Sequence, residues 1–93
     1  MSASLLEFAV SFVDGRLPAT DFADPFILRW RGERDDGTLE TDSPAVSEAL
    51  STVFCLADLF NPNDDRLEYE LDDGRLRIAV CEAIARISPA GRA

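Results

Sequence analysis

The 93-residue sequence contains no histidine and no lysine, so all nine of its basic residues are arginines. Without histidine, the chain lacks the usual general base, the commonest transition-metal ligand and any serine–histidine or cysteine–histidine pair. It also lacks a glycine-rich phosphate-binding loop. We therefore expect a protein that is not an enzyme and that uses no cofactor and no metal.

Long hydrophobic runs and basic clusters are also missing. The longest apolar stretches span only a few residues, too short to cross a bilayer. The segment from Met1 to Ser4 lacks the basic start of a signal peptide, and Glu7 interrupts the apolar stretch that follows. Cys55 and Cys81 lack Cys-x-x-Cys spacing, as is typical of unpaired thiols in a reducing compartment. The net charge of −9 disfavours nucleic acid and anionic lipid as ligands. We expect a cytoplasmic protein without membrane contact.

Four segments place apolar residues at helical spacing, and the length suits one domain over residues 1–93. The predicted helices cover residues 5–14 (ended by Gly15), 20–34, 44–60 (capped by Ser43, with Pro44 first) and 72–87 (ended by Pro89). Pro25 allows two interpretations of the second helix: it is disturbed at Pro25, or it begins there with Asp24 as its cap. We favour the first.

The region around the Asp72–Asp73 pair also allows two interpretations. Apolar residues alternate with other residues on both sides of the pair: Leu67, Tyr69 and Leu71 before it, and Leu76, Ile78 and Val80 after it. This alternation predicts a β-hairpin. The competing interpretation makes Asp72 or Asp73 the N-cap of the fourth helix, and we favour it because a lone hairpin is marginally stable. The predicted fold is all-α, an antiparallel four-helix bundle with short loops.

Negative charge is concentrated in one segment. From Asp58 to Asp73 there are seven acidic residues and one basic residue, Arg66, a local charge of −6. Such a cluster repels nucleic acid and attracts a cationic surface over about 8 Å at physiological salt. We therefore expect a basic protein as partner. The predicted contact residues are Asp58, Asn61, Asp64, Asp65, Glu68, Tyr69, Glu70 and Asp72.

Structural roles compete with these contact roles. Asp72 and Asp73 suit helix capping better than binding. Tyr69 is either an interface anchor or packs with Leu67 and Leu71 against the bundle. The acidic cluster as a whole can also be an ordinary solvated corner. The segment that starts at Asn61 weakly matches a calcium loop, with Arg66 where that loop needs glycine.

A resemblance to a known family is carried by the segment Phe60-x-Pro62-x-x-Asp65-Arg66-x-x-Tyr69-Glu70-Leu71-Asp72-Asp73, followed by Leu76-x-Ile78-x-Val80. This segment resembles the immunity proteins of colicin D and their relatives in contact-dependent growth inhibition, with weaker similarity over residues 5–87. The resemblance implies a small four-helix protein that binds a cognate tRNase toxin domain one to one and covers its active site with acidic side chains. A nuclease that grips RNA is basic, so the charge of the segment agrees with that role. The alternative function is an acidic interaction module, or the inhibitor of a partner that is not a nuclease.

Overall fold

The computed structural model describes residues 3–37 and 43–86. Within them it contains four helices, α1 (Ala3–Val13), α2 (Ala19–Asp35), α3 (Pro44–Asp58) and α4 (Asp73–Ala85). Each helix packs against the next, and α1 packs against α4, which closes the bundle. No helix among the described residues is long and apolar enough to span a membrane. The predicted all-α four-helix bundle is confirmed.

The core forms around aromatic residues of α1 and α2. Leu5, Ala9 and Phe12 lie on one side of α1 and are fully buried. The ring of Phe12 stacks on that of Phe22, with 4.2 Å between the ring centroids, and Phe26 contacts Phe22 at 5.3 Å. Full burial of each large side chain stabilises the fold by about 1.5–3 kcal/mol. This cluster therefore determines how α1 lies on α2.

The apolar stripes predicted for α3 and α4 face the same core. Their buried residues are Ala49, Leu50, Val53 and Ala57 on α3, and Leu76, Val80 and Ala83 on α4. Ile87, the last residue of the predicted fourth helix, lies outside the described residues, as do Pro89 and residues 38–42. Val10 on α1 is 37% exposed because it lines a groove between α1 and α4.

Two of the predicted helix signals act as expected. Gly15 ends α1 with a φ of +83°, a conformation that glycine adopts without strain, in a Schellman arrangement of backbone hydrogen bonds. Ser43 caps α3, where its Oγ accepts a hydrogen bond from the amide of Val46 at 3.3 Å, and Pro44 is the first helical residue.

Pro25 lies inside α2, which begins at Ala19 and continues past the proline. Because proline has no N–H, the carbonyl of Asp21 loses its usual intrahelical donor. The buried rings of Phe22 and Phe26 flank the proline, so packing against the core holds the helix on both sides of it. The favoured interpretation of this segment is confirmed, and a later helix start is wrong.

The connection between α3 and α4 differs from the prediction of short loops. It comprises residues 59–72, whereas helix connections in bundles usually have about 2–8 residues. The hairpin alternative is also wrong, because α4 begins at Asp73 and the described residues contain a single isolated bridge, between Phe60 and Leu71. Leu76 and Val80 are buried while Ile78 between them is 63% exposed, a pattern that fits a helix and not a strand, in which all three would share one face.

The Asp72–Asp73 pair caps two helices at once. Asp72 is the N-cap of α4, and its Oδ1 accepts a hydrogen bond from the amide of Arg75 at 2.8 Å. Asp73 reaches α2, where its Oδ2 accepts from the amide of Ala19 at 2.8 Å. Ala19 is the first residue of α2, and Pro18 before it supplies no side-chain cap. The predicted capping role is confirmed, and the two carboxylates serve different helices.

Arg77 joins α1 to the same cluster. Its Nη2 lies 2.9 Å from Oδ1 of Asp73, and its Nη1 donates to the carbonyl oxygen of Phe12 near the end of α1. The guanidinium also lies over the ring of Phe12, 4.3 Å from its centroid. The amide of Ala19 and the guanidinium of Arg77 lower the pKa of Asp73. One carboxylate therefore connects α1, α2 and α4.

We expect Asp73→Ala to lower the free energy of unfolding by about 1–2 kcal/mol at pH 7, because α2 loses its cap and Arg77 loses its partner. Since the pKa of Asp73 is lowered in the folded state, this contribution is complete above its ordinary value of 3.8. It is lost as the pH falls through the lower folded-state pKa. Urea denaturation of both proteins from pH 7 to pH 3 measures the difference.

The matched control is Asp64→Ala, which removes an exposed carboxylate that has no side-chain hydrogen bond in the described part of the chain. We expect a change within about 0.5 kcal/mol. Equal losses in the two variants would contradict the capping role of Asp73, and so would a loss that does not depend on pH.

Candidate functional site

The acidic cluster lies in the α3–α4 loop (residues 59–72) and in the helix residues on either side of it. The amide of Leu71 donates to the carbonyl of Leu59 at 2.8 Å, and the amide of Asn61 donates to the carbonyl of Leu71 at 2.9 Å. These bonds hold the two ends of the loop side by side. The seven acidic residues are therefore confined to one end of the bundle.

Asn61 organises the inside of this loop. Its Nδ2 donates to Oε1 of Glu70 at 3.2 Å and to Oδ1 of Asp65 at 3.4 Å, and its Oδ1 accepts from the amide of Asn63 at 2.9 Å. A side-chain amide has two donor hydrogens, so it can hold two carboxylates near each other without a cation. Asn61 is half-buried and its side chain is bonded within the loop, while its contact with a partner stays a prediction.

Arg66 supplies the positive charge of the loop. Its Nη1 donates to the carbonyl oxygens of Asn61 and Asn63 at 3.0 and 2.8 Å. These residues begin the weak calcium-loop match, and here a guanidinium lies against their carbonyl oxygens. Within residues 3–37 and 43–86, no group of three or more cysteine, aspartate or glutamate side chains is placed to hold a metal ion.

A tight turn follows at residues 67–70. The amide of Glu70 donates to the carbonyl of Leu67 at 3.0 Å, and the amide of Leu67 donates to Oε1 of Glu70 at 2.8 Å. These two bonds close the turn from both sides, so Glu68 and Tyr69 lie at its tip. The hydrogen bonds from Leu67 and Asn61, with the nearby charge of Arg66, lower the pKa of Glu70.

The predicted contact residues fall into two groups. Exposed are Asp58, Asp64, Asp65, Glu68 and Tyr69; half-buried and bonded within the protein are Asn61, Glu70 and Asp72. Tyr69 is 65% exposed and Leu67 is 53% exposed, so packing of these two side chains against the bundle is wrong. Leu71 does pack against the core.

Leu67 is exposed on this surface, although it is not among the predicted contact residues. Its alternation with Tyr69 and Leu71 suggested a strand with one buried face, and that pattern hid its place in a turn. The usable signal was the surrounding acidic composition, since an apolar residue among charged neighbours commonly lies at a surface.

A groove of about 430 Å³ lies between α1 and α4, away from the acidic loop. Leu6, Val10, Val13, Ile84 and Ala85 line it, together with Asp14 and Cys81. It therefore contains a single carboxylate and a single thiol.

We expect the amide proton of Leu67 to report the ionisation of Glu70. Because the pKa of Glu70 is lowered, the hydrogen bond persists as the pH falls below the ordinary value of 4.5 and is lost only at a lower pH. Proton NMR of the Leu67 amide from pH 7 to pH 2.5 measures this midpoint. In Glu70→Gln the amide keeps an acceptor but the titration disappears. A midpoint at or above 4.5 in the wild type would contradict the turn geometry.

Comparison with known proteins gives a family match over most of the chain. A family model described as bacterial self-protective colicin-like immunity matches residues 1–87, which include all four helices and the α3–α4 loop. A search of the curated proteins finds no match. The match is to colicin-like immunity in general and does not single out colicin D. The chain belongs to the bacterial self-protective colicin-like immunity family, and its function is protection against a toxin.

Proposed function

We propose that this immunity protein binds a basic, tRNA-cleaving toxin domain and covers its RNA-binding surface with the acidic residues of the α3–α4 loop. The observation that carries the proposal is the exposed group Asp58, Asp64, Asp65 and Glu68, which lies on a loop held closed by its own hydrogen bonds. The toxin is either of the colicin type or of the contact-dependent inhibition type.

Charge complementarity supports this choice of partner. A nuclease binds the RNA backbone with arginine and lysine side chains, so its active-site groove attracts carboxylates as well as phosphates. Asp58 is the last residue of α3, where a negative charge is disfavoured by the helix dipole. Asp58 therefore lowers the stability of α3, and a role in binding would explain why an acidic residue occupies this position. The field of the cluster also speeds encounter with a cationic partner.

The closed form of the loop supports tight binding. Ordering one backbone residue costs about 1–2 kcal/mol, so a flexible loop of this length would lose much of its interaction energy on association. Here the bonds made by Asn61, Arg66 and Glu70 already order the loop in the free protein. The carboxylates then meet the toxin in a preformed arrangement.

The rest of the proposal follows from this mode of binding. The protein acts as a monomer in a one-to-one complex in the cytoplasm, where it meets the toxin before RNA does. It contacts no nucleic acid directly and needs no cofactor, because inhibition consists of occupying the cationic groove.

We expect the double charge reversal Asp64→Lys with Asp65→Lys to lower the association rate about 10- to 100-fold at low salt, since it removes steering and adds repulsion. The loss shrinks as salt rises, because exposed charges are screened. An immunity gene normally lies immediately downstream of its toxin gene, so the toxin candidate is the C-terminal domain encoded by the reading frame immediately upstream. The measurement is surface plasmon resonance against that domain in catalytically inactive form. Protection of growing cells from the active domain is the second readout.

The control is Glu7→Lys with Glu48→Lys, which makes the same change in net charge at exposed positions of α1 and α3 outside the loop. We expect protection to survive in this variant. If both double variants bind alike, net charge and not the loop governs association, and the proposed surface is wrong.

The nature of the partner has its own test. The upstream domain is copurified with this protein and incubated with tRNA and with other RNAs, with and without the immunity protein. Cleavage that is specific to tRNA and blocked by this protein supports the proposal. A copurified partner without nuclease activity would instead support the inhibitor of a different enzyme or an acidic interaction module.

A further inference from the structure

The tip of the turn at residues 67–70 presents an aromatic ring beside a carboxylate. Tyr69 and Glu68 are its two central residues, and both side chains are exposed. Two hydrogen bonds between Leu67 and Glu70, 3.0 and 2.8 Å long, hold the backbone of this turn. Both side chains are therefore exposed to a partner on a turn whose backbone is fixed.

The ring of Tyr69 differs from the other aromatic rings of the protein. Six of the eight contact another ring or lie under an arginine, and Phe60 packs against the core. Tyr69 has neither kind of neighbour among the described residues and is 65% exposed. Its ring faces are available to a ligand.

Inside the protein, such rings bind guanidinium groups. Arg77 lies 4.3 Å from the centroid of Phe12, and Arg29 lies 4.9 Å from that of Phe8. In the first case, the same guanidinium also bonds the carboxylate of Asp73 at 2.9 Å. A ring and a carboxylate together thus hold an arginine at the α1–α4 contact.

We propose that the Glu68–Tyr69 turn tip is a receptor for one arginine side chain of the toxin, which stacks on the ring of Tyr69 and pairs with Glu68. This inference rests on the proposed function, because the RNA-binding groove of a nuclease toxin would contain exposed arginines. Arginine suits the site better than lysine, since its flat guanidinium can stack and form a carboxylate pair at the same time. The surrounding acidic residues raise the rate at which the toxin associates, and the contact at Glu68 and Tyr69 lowers the rate at which it dissociates.

Three substitutions of Tyr69 separate arginine stacking from simple burial. Tyr69→Phe keeps the ring and should change the dissociation rate less than about 3-fold. Tyr69→Leu keeps an apolar side chain but removes the ring face, and Tyr69→Ala removes both; each should raise the dissociation rate about 10-fold or more. Association rates should stay within about 3-fold of the wild type. The probe is the inactive upstream toxin domain in surface plasmon resonance.

Glu68→Gln removes the carboxylate charge and should raise the dissociation rate about 3- to 10-fold.

The matched control for the truncation Tyr69→Ala is Leu28→Ala, which truncates a side chain that is 67% exposed on α2. We expect it to change neither the association rate nor the dissociation rate. Since all these side chains are exposed, the melting temperature should stay within about 2 °C of the wild type.

The outcomes distinguish the receptor from the proposed function. If Tyr69→Leu dissociates as slowly as Tyr69→Phe, or if Tyr69→Ala has no effect, the receptor is wrong. The proposed function stands in that case as long as Asp64→Lys with Asp65→Lys lowers the association rate. If neither set of variants changes binding, the loop is not the contact surface and both proposals fail.

Discussion

The carboxylate of Asp73 is the contact on which the arrangement of this protein depends. It accepts a hydrogen bond from the first amide of α2 and pairs with Arg77, which in turn bonds the end of α1. A helix start has unpaired amides that need an acceptor, and Pro18 gives α2 none of its own. The beginning of α4 is therefore held against two other helices, and the far end of the α3–α4 loop is fixed with it.

The loop reconciles a high density of negative charge with a defined shape. Repulsion among seven acids would favour an open chain, and two features oppose it from within. Asn61 donates to two of the carboxylates, while Arg66 places its charge against backbone carbonyl oxygens. Because the carbonyl groups and not the acids hold the guanidinium, Asp58, Asp64 and Glu68 remain exposed. That division leaves negative charge available for the basic toxin that we propose as the partner.

The candidate site was partly visible in the sequence. The density of negative charge identified the segment. Four of its predicted contact residues are exposed acids, as expected: Asp58, Asp64, Asp65 and Glu68. Composition could not separate Asn61 and Glu70 from their neighbours, because their inward bonds depend on how the loop closes. The alternation at Leu67 and Tyr69 was misleading: a two-residue period is typical of strands, but a tight turn can show it over so short a stretch.

The sequence by itself determined the four helices and most of their buried stripes, which follow from local spacing. It also determined one end each of α1, α3 and α4, which are marked by Gly15, Ser43 and Asp72. The charge pattern also led to the expectation of a basic partner. Only the tertiary structure decided that Asp73 would cap α2, because residues 19 and 73 meet only after the bundle has packed. The same holds for the exposure of Tyr69, because the turn beneath it is joined to the rest of the loop by the bond from Asn61 to Glu70, which forms only when the loop has folded.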